Sequence, residues 1–152
     1  MKILLYVVSF GLIFGLAGCS EETDPGLTPV PTGFQTDVTL SSDRIYRGQN
    51  TELTLEIANY GSDIELDFNC NDQFGFRIED QLGNVVYEYP SCNPIATHLT
   101  MRKGYTNTVI FSVPGGTLPV IEEGYYSVSA GIMEHEDEYP WEKKGLTILE
   151  PR

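Results

Sequence analysis

Residues 51–59 read TELTLEIAN, and in this stretch the apolar residues Leu53, Leu55 and Ile57 alternate with polar or small neighbours. A repeat of two places successive side chains on opposite faces of an extended strand, whereas a helix needs a repeat near 3.6. One face of this strand is therefore expected to enter a core while the other meets solvent.

The same alternation recurs on both sides of this strand, and turn-forming segments such as 59–62, 82–84 and 114–116 separate the repeats. No stretch shows a convincing amphipathic helix. Eight short strands in about 115 residues predict an all-β fold, namely an antiparallel β-sandwich of about seven to eight strands, with a small closed barrel as the alternative. The other alternating positions are Val38 and Leu40; Ile64, Leu66 and Phe68; Phe74, Phe76 and Ile78; Val109, Phe111 and Val113; Tyr126, Val128, Ala130 and Ile132; and Leu146 and Ile148. Val85 to Tyr89 form a further predicted strand that alternates less cleanly.

Residues 122–128, EEGYYSV, resemble the tyrosine-corner segment of immunoglobulin-like domains. There a tyrosine near the start of a strand bonds back to the backbone, and the residue two places on faces the core. The resemblance puts Tyr126 at the corner and Val128 in the core. It favours the immunoglobulin-like form of the sandwich, with a plain strand start as the alternative.

An apolar run, Ile3–Ala17, follows the single charge of Lys2. It is short for a hydrocarbon core of about 30 Å, so we interpret it as a secretory signal. The run ends in Leu16–Cys19, LAGC, which resembles the lipobox of bacterial lipoproteins at all four positions. The resemblance implies that residues 1–18 are a signal peptide and that Cys19 is acylated, for example with palmitate. The alternatives are an ordinary signal peptide or an N-terminal membrane anchor.

The segment that follows the lipobox predicts a tether and a cellular location. Residues 19–34 would form the lipidated end and a flexible tether, because their prolines and glycines prevent regular structure. Residues 35–152 would form the β-sandwich domain. In lipoproteins of enteric type an aspartate after the lipid cysteine favours retention in the inner membrane, so the resemblance with Ser20 at that position implies the outer membrane. The acids at 21–22 resemble an export signal of surface lipoproteins, with a solvated acidic spacer as the alternative. We therefore expect an outer-membrane lipoprotein that faces the periplasm or the cell surface and is held by an N-terminal lipid anchor.

Charge and residue types exclude several functions. The chain has 22 acidic and 9 basic residues and a net charge of −13, which argues against nucleic-acid binding, because phosphate recognition needs clustered Lys and Arg. It contains no glycine-rich phosphate loop and no G-x-S-x-G elbow. The only imidazoles are His98 and His135. We expect no catalytic residues, no cofactor and no metal, and a small hydrolase is the least favoured alternative.

Cys70 and Cys92 remain once Cys19 carries the lipid. Outside the cytoplasm paired thiols oxidise, and closing this loop would stabilise the fold by about 3 kcal/mol. We therefore predict a disulfide that links two loops at one end of the sandwich. The alternative is a metal site, although zinc needs three or four ligands and only His98 lies near in sequence.

The densest acidic cluster, EHEDE at 134–138, precedes Tyr-Pro-Trp at 139–141 and lies between two predicted strands. Carboxylates beside aromatic rings could bind a cation, a sugar or a basic protein surface. The alternative is a solvated loop whose Trp141 folds onto the edge of the sandwich. The candidate binding residues are Glu134, Glu136, Asp137, Tyr139 and Trp141.

A series of landmarks runs along residues 36–149: an apolar strand ending in Asn59, a strand ending in Phe68, a Phe-rich strand at 74–80, then Asp80-x-x-Gly83, a Val-rich strand and Gly124-x-Tyr126-x-Val128. The series resembles the BsuPI-type intracellular proteinase inhibitor family, an immunoglobulin-like β-sandwich. The resemblance implies a non-enzymatic domain that binds protein. That family is intracellular, whereas this N-terminus predicts export, and no inhibitory residue can be matched.

These observations predict a non-enzymatic, lipid-anchored envelope protein whose β-sandwich binds a protein partner. The resemblance makes a protease the specific partner to expect. The alternative is a glycan-binding or adhesion module on the cell surface, in which Tyr139 and Trp141 would stack on sugars.

Overall fold

The computed structural model of the protein describes residues 33–115 and 121–151. The predictions for residues 1–18, for Cys19 and for the tether up to residue 32 lie outside the described residues. In the described part of the chain, no helix has the length and hydropathy of a membrane span. The first strand begins at Phe34.

Residues 33–115 and 121–151 form ten strands. In the strand that contains residues 51–59, every second residue from Thr51 to Asn59 is buried and those between them are more exposed. The strands are β1 (Phe34–Leu40), β2 (Arg44–Tyr46), β3 (Gln49–Asn59), β4 (Ile64–Phe68), β5 (Phe74–Glu79), β6 (Val85–Tyr89), β7 (Thr97–Met101), β8 (Tyr105–Gly115), β9 (Gly124–Ile132) and β10 (Glu142–Leu149).

The strands form a three-stranded sheet β1-β3-β8, a five-stranded sheet β2-β10-β9-β5-β6 and a two-stranded sheet β4-β7. The predicted all-β sandwich is confirmed, and all eight predicted strands are present. Two strands add to them. The three residues of β2 are too few to show alternation, and they pair with β10 in the one parallel ladder among the described strands. The second addition, β7, pairs with β4.

The two-stranded sheet continues the ladder between β3 and β8. That ladder ends at the pair Asn59 and Tyr105. The next ladder begins at the pair Ile64 and Met101, after residues 60–63 on one side and 102–104 on the other. The four strands therefore form one long antiparallel ribbon that is interrupted once, beside Asn59.

A single apolar core joins all of these strands except β6, which contributes only partly buried side chains to its border. The predicted tyrosine corner is confirmed, since the hydroxyl of Tyr126 donates a hydrogen bond to the carbonyl oxygen of Glu122 at 3.0 Å. Val128, two residues on, is fully buried. The largest fully buried side chains are Phe76, Leu53, Leu55, Ile57, Ile78, Met101, Ile121, Ile132, Leu146 and Ile148.

Candidate functional site

Cys70 and Cys92 form the predicted disulfide, with their Cα atoms 5.2 Å apart. Cys70 follows β4, which belongs to the two-stranded sheet, and Cys92 follows β6, the edge of the five-stranded sheet. The bridge therefore ties two sheets together, which is a larger role than joining two loops.

Residues 134–141, the acidic loop, are attached by Glu134 to the chain next to Cys70. Its carboxylate accepts hydrogen bonds from the backbone N–H of Asn69 at 3.0 Å, from the backbone N–H of Cys70 at 3.0 Å and from the side-chain amide of Asn69 at 2.8 Å. The backbone N–H of Asn69 is the main reason that the pKa of Glu134 is lowered. Glu134 also has a φ of +61°, a left-handed conformation that is uncommon outside glycine. Its carboxylate is committed to holding the chain after β4.

His135 extends the same attachment. Its Nε2 lies 3.0 Å from the carbonyl oxygen of Asp67, and its ring meets the ring of Phe68 edge-on, with the centroids 5.1 Å apart. The carbonyl oxygen of His135 accepts bonds from the backbone N–H of Glu138 and of Tyr139, which closes a turn. This imidazole therefore helps to pack the loop on β4.

Trp141 packs against the five-stranded sheet. Its Nε1 donates a hydrogen bond to the carbonyl oxygen of Ile132 at 2.8 Å. A Cβ atom at Gly131 would lie 2.5 Å from Cδ1 of Trp141, so the ring rests on a position that only glycine leaves open. The guanidinium carbon of Arg77 lies 4.8 Å from the ring centroid, within range of a cation–π contact.

Tyr139 packs against the first strand. Its ring meets the ring of Phe34 edge-on at 4.7 Å between centroids, and burial raises the pKa of its hydroxyl, with a smaller contribution from Glu138. Glu136 is half-buried and Asp137 is exposed. Three of the five predicted binding residues therefore hold the loop on the sandwich. Glu134 holds it to the chain after β4, Tyr139 to β1 and Trp141 to the five-stranded sheet.

One group of three potential metal ligands lies within 4.8 Å in the part of the chain that the structure describes: Cys70, Cys92 and Glu134. The two sulfurs are bonded to each other, and the Glu134 carboxylate accepts three hydrogen bonds. This donor set does not fit a metal ion while the disulfide is intact. His98 lies in a different contact, with its Nδ1 2.7 Å from a carboxylate oxygen of Asp67.

A charged cluster covers the outer face of the five-stranded sheet. The carboxylate of Glu79 accepts a hydrogen bond from the ammonium of Lys143 and lies 3.0 Å from Nε of Arg77. The hydrogen bond from Lys143 is the main reason that the pKa of Glu79 is lowered. A carboxylate held ionised between two cations is suited to stabilising the sheet and poorly suited to general-acid catalysis.

A cleft of about 450 Å³ lies on a side of the sandwich for which the sequence suggested no site. The ring of Phe76 forms its inner wall, 5.8 Å from the ring of Tyr89 and 5.3 Å from the ring of Phe111. Tyr89 is 48% exposed and Ile110 is 63% exposed. The cleft is lined by residues of β5 and the segment before it, by two tyrosines of β6, and by residues 109–112 of β8.

Both long sides of this cleft are sheet edges. Among the described strands, β6 pairs with β5 alone and β8 pairs with β3 alone. The eleven residues of β8, YTNTVIFSVPG, carry no charge, whereas the edge strands β1, β2 and β6 each carry one. The sequence held a signal for this site, namely an uncharged run of strand length, but only the topology reveals that the run is an edge.

The chain matches no family model, and no curated protein matches it. It is similar to the solved CARDB domain of a Pyrococcus furiosus protein in complex with di-metal ions, with a TM-score of 0.50 and 10% identity over 79% of this chain and 94% of that one. A β-glucosidase of Erythrobacter marinus gives a TM-score of 0.48 at 14% identity, and this chain spans 16% of that enzyme. The C-terminal domain of Wzt gives a TM-score of 0.47 at 12% identity, over 80% of this chain and 77% of that one. At these identities the CARDB similarity shows a shared β-sandwich fold.

Proposed function

We propose that the protein is an exported, lipid-anchored β-sandwich that binds a protein partner through the cleft between β6 and β8. The observation that carries the proposal is that β6 and β8, each the edge of its sheet among the described strands, lie on the two sides of an aromatic cleft. Edge strands offer unpaired backbone donors and acceptors, and aromatic side chains at a cleft are frequent anchors for a protein partner.

The membrane half of the proposal rests on the LAGC motif that ends at Cys19. A net charge of −13 opposes electrostatic attachment to anionic lipid, so an acyl chain must supply the anchor. The test is metabolic labelling of the full chain with an alkynyl palmitate in a bacterial host. Label should be lost in Cys19→Ser and kept in the neighbouring control Ser20→Ala. Undiminished label in Cys19→Ser would contradict the anchor.

The binding half is tested by placing a photo-crosslinking residue at Tyr89, in the cleft, in the full chain in its native cells. The matched control carries the same residue at Thr39, which is exposed on the opposite edge strand, β1. A discrete protein adduct that forms from position 89 and is absent from position 39 supports the proposal. Equal adducts from the two positions, or none from position 89, would contradict it.

Proteinase inhibition is the specific form of binding that the BsuPI resemblance suggests. The test titrates the purified full chain against a panel of serine proteases and follows residual activity and cleavage of the chain. Stoichiometric loss of protease activity with the chain intact supports inhibition. Full protease activity at excess protein would leave partner binding of another kind.

Glycan binding through Tyr139 and Trp141 has less support than protein binding. Both rings already contact the sandwich, at Phe34 and at Gly131 respectively. A sugar platform needs an aromatic face that is open to the ligand.

A further inference from the structure

We infer that β8 receives an extended, cationic segment of the partner as an added strand, with the apolar side chains of that segment entering the aromatic cleft. This inference rests on the proposed function and names the chemistry of the partner. In such strand addition the main-chain hydrogen bonds provide affinity, and pockets for alternate side chains provide specificity.

The first support is the lack of protection along β8. Soluble proteins blunt their edge strands with lysines, prolines, bulges or short length. β8 is eleven residues long and uncharged, and its single proline, Pro114, stands next to its end. The ladder with β3 runs without a register shift from Gln49 to Asn59, so β8 presents a regular edge over its whole length.

The second support is the side-chain space beside that edge. The cleft volume of about 450 Å³ falls within the range of about 300–1,000 Å³ that is usual for ligand pockets. Tyr89 faces β8 from the other sheet, with its ring 6.3 Å from the ring of Phe111 on the inner face of β8. Ile110 is exposed on the opposite, outer face of the same strand. A strand placed next to β8 would therefore meet apolar surface on its inner side.

The third support is charge. Among the residues that line the cleft, Asp72 carries the one formal charge and no Lys or Arg is present. The whole chain has a net charge of −13, so a second copy would be repelled while a cationic segment would be attracted. The occupant that fits best is therefore a basic strand of a different protein.

The experiment measures binding of a labelled probe peptide, Lys-Val-Lys-Val-Thr-Val-Lys-Val-Lys, to the full chain by fluorescence anisotropy. The first comparison replaces every Lys in the probe by Glu. The second compares two N-methylated probes that differ in the phase of methylation. One probe is methylated on the backbone nitrogens of its odd-numbered residues, and the other on those of its even-numbered residues. Strand addition predicts that the Glu probe binds at least about tenfold more weakly, and that one methylation phase abolishes binding while the other is tolerated.

The protein variant is Ile110→Lys, which places a charge on the exposed face of β8, and its matched control is Thr39→Lys on β1. We expect Ile110→Lys to weaken probe binding by about tenfold and Thr39→Lys to change it by less than about twofold. Thermal unfolding of both variants shows whether each remains folded. Ile110→Thr, which removes the apolar side chain without adding charge, gives a second measurement if Ile110→Lys unfolds.

The inference is overturned if the Lys probe fails to bind, or if it binds with no dependence on Ile110 or on the phase of methylation. Those results leave the proposed function standing when position 89 still forms its specific crosslink. Loss of that crosslink, in contrast, removes the proposed function itself.

Discussion

The side-chain amide of Asn59 donates a hydrogen bond to the carbonyl oxygen of Met101 at 2.7 Å, across the one interruption of the long ribbon. The same nitrogen donates to the carbonyl oxygen of Ser62, and its Oδ1 accepts from the N–H of Gly61. Asn59 is fully buried. One side chain thus replaces the ladder bonds that β3 loses where the ribbon is interrupted.

Replacing Asn59 by Ala should lower the free energy of unfolding by about 2–3 kcal/mol, because buried backbone groups lose their partners. The measurement is urea unfolding of the purified full chain. The control is Asn50→Ala on the same strand, where the exposed amide donates a hydrogen bond to the hydroxyl of Ser112. Its expected loss is below about 0.5 kcal/mol. Equal losses in the two variants would show that Asn59 does not stabilise the interruption of the ribbon.

Gly131→Ala should displace Trp141, because the new Cβ would lie 2.5 Å from Cδ1 of the indole. We expect a loss of about 1–3 kcal/mol in the free energy of unfolding and a red-shifted emission, since the chain contains a single Trp. Gly145→Ala on β10 is the matched control, because a Cβ there meets nothing within 4 Å. Unchanged emission and stability in Gly131→Ala would refute the packing described for Trp141.

Removing the disulfide with the double substitution Cys70→Ala and Cys92→Ala should lower the free energy of unfolding by about 3 kcal/mol, given the separation of 22 residues. Residues 71–74, which follow Cys70, line the cleft. We therefore also expect weaker binding of the cationic probe. Reductant should lower the unfolding midpoint of the native chain and of Cys19→Ser equally, because the bridge joins Cys70 and Cys92. An unfolding midpoint that does not change with reductant would contradict a structural role for the disulfide.

Acidification should weaken the attachment of the acidic loop. The pKa of Glu134 in the folded protein lies below its ordinary value of 4.5, because the backbone N–H of Asn69 stabilises the carboxylate. Its contribution to the free energy of unfolding is therefore fully present above about pH 4.5, and it is lost as the pH falls through the lower pKa that Glu134 has in the folded protein. The carboxylate is exposed, so we expect the contribution to be below about 1 kcal/mol.

The measurement for this prediction is urea unfolding between pH 7 and pH 3. Glu134→Gln should be less stable than the native chain at pH 7 and should lose less stability on acidification. Glu136→Gln makes the same charge change two residues along and should follow the native chain. The prediction fails if Glu134→Gln and the native chain give parallel pH profiles.

The alternation of Leu53, Leu55 and Ile57 was sufficient to predict a half-buried strand, because the burial of alternate side chains follows from strand geometry within one segment. The pairing of Cys70 with Cys92 could also be predicted, since only two cysteines remain after Cys19. The corner at Tyr126 could be recognised because its bond to Glu122 is local in sequence.

The role of the acidic loop could not be predicted in the same way. An EHEDE segment is compatible with a cation site and with a solvated loop. The contacts of Glu134 with Asn69 and of His135 with Asp67 join residues more than sixty positions apart. Only the folded chain brings them together, so sequence patterns alone left both interpretations open.

The sequence by itself determined the β class, the positions of most strands, the disulfide and the expectation of a lipid anchor, because each depends on a short pattern or on a count of residues. Only the tertiary structure decided that β8 is an edge, that Tyr89 and Ile110 border one cleft and that Trp141 rests on Gly131. The physical reason is that strand order depends on pairing between distant segments. A strand carries the same residue pattern at the edge of a sheet as in its middle, and the surface available to a partner depends on which of these two places the strand occupies.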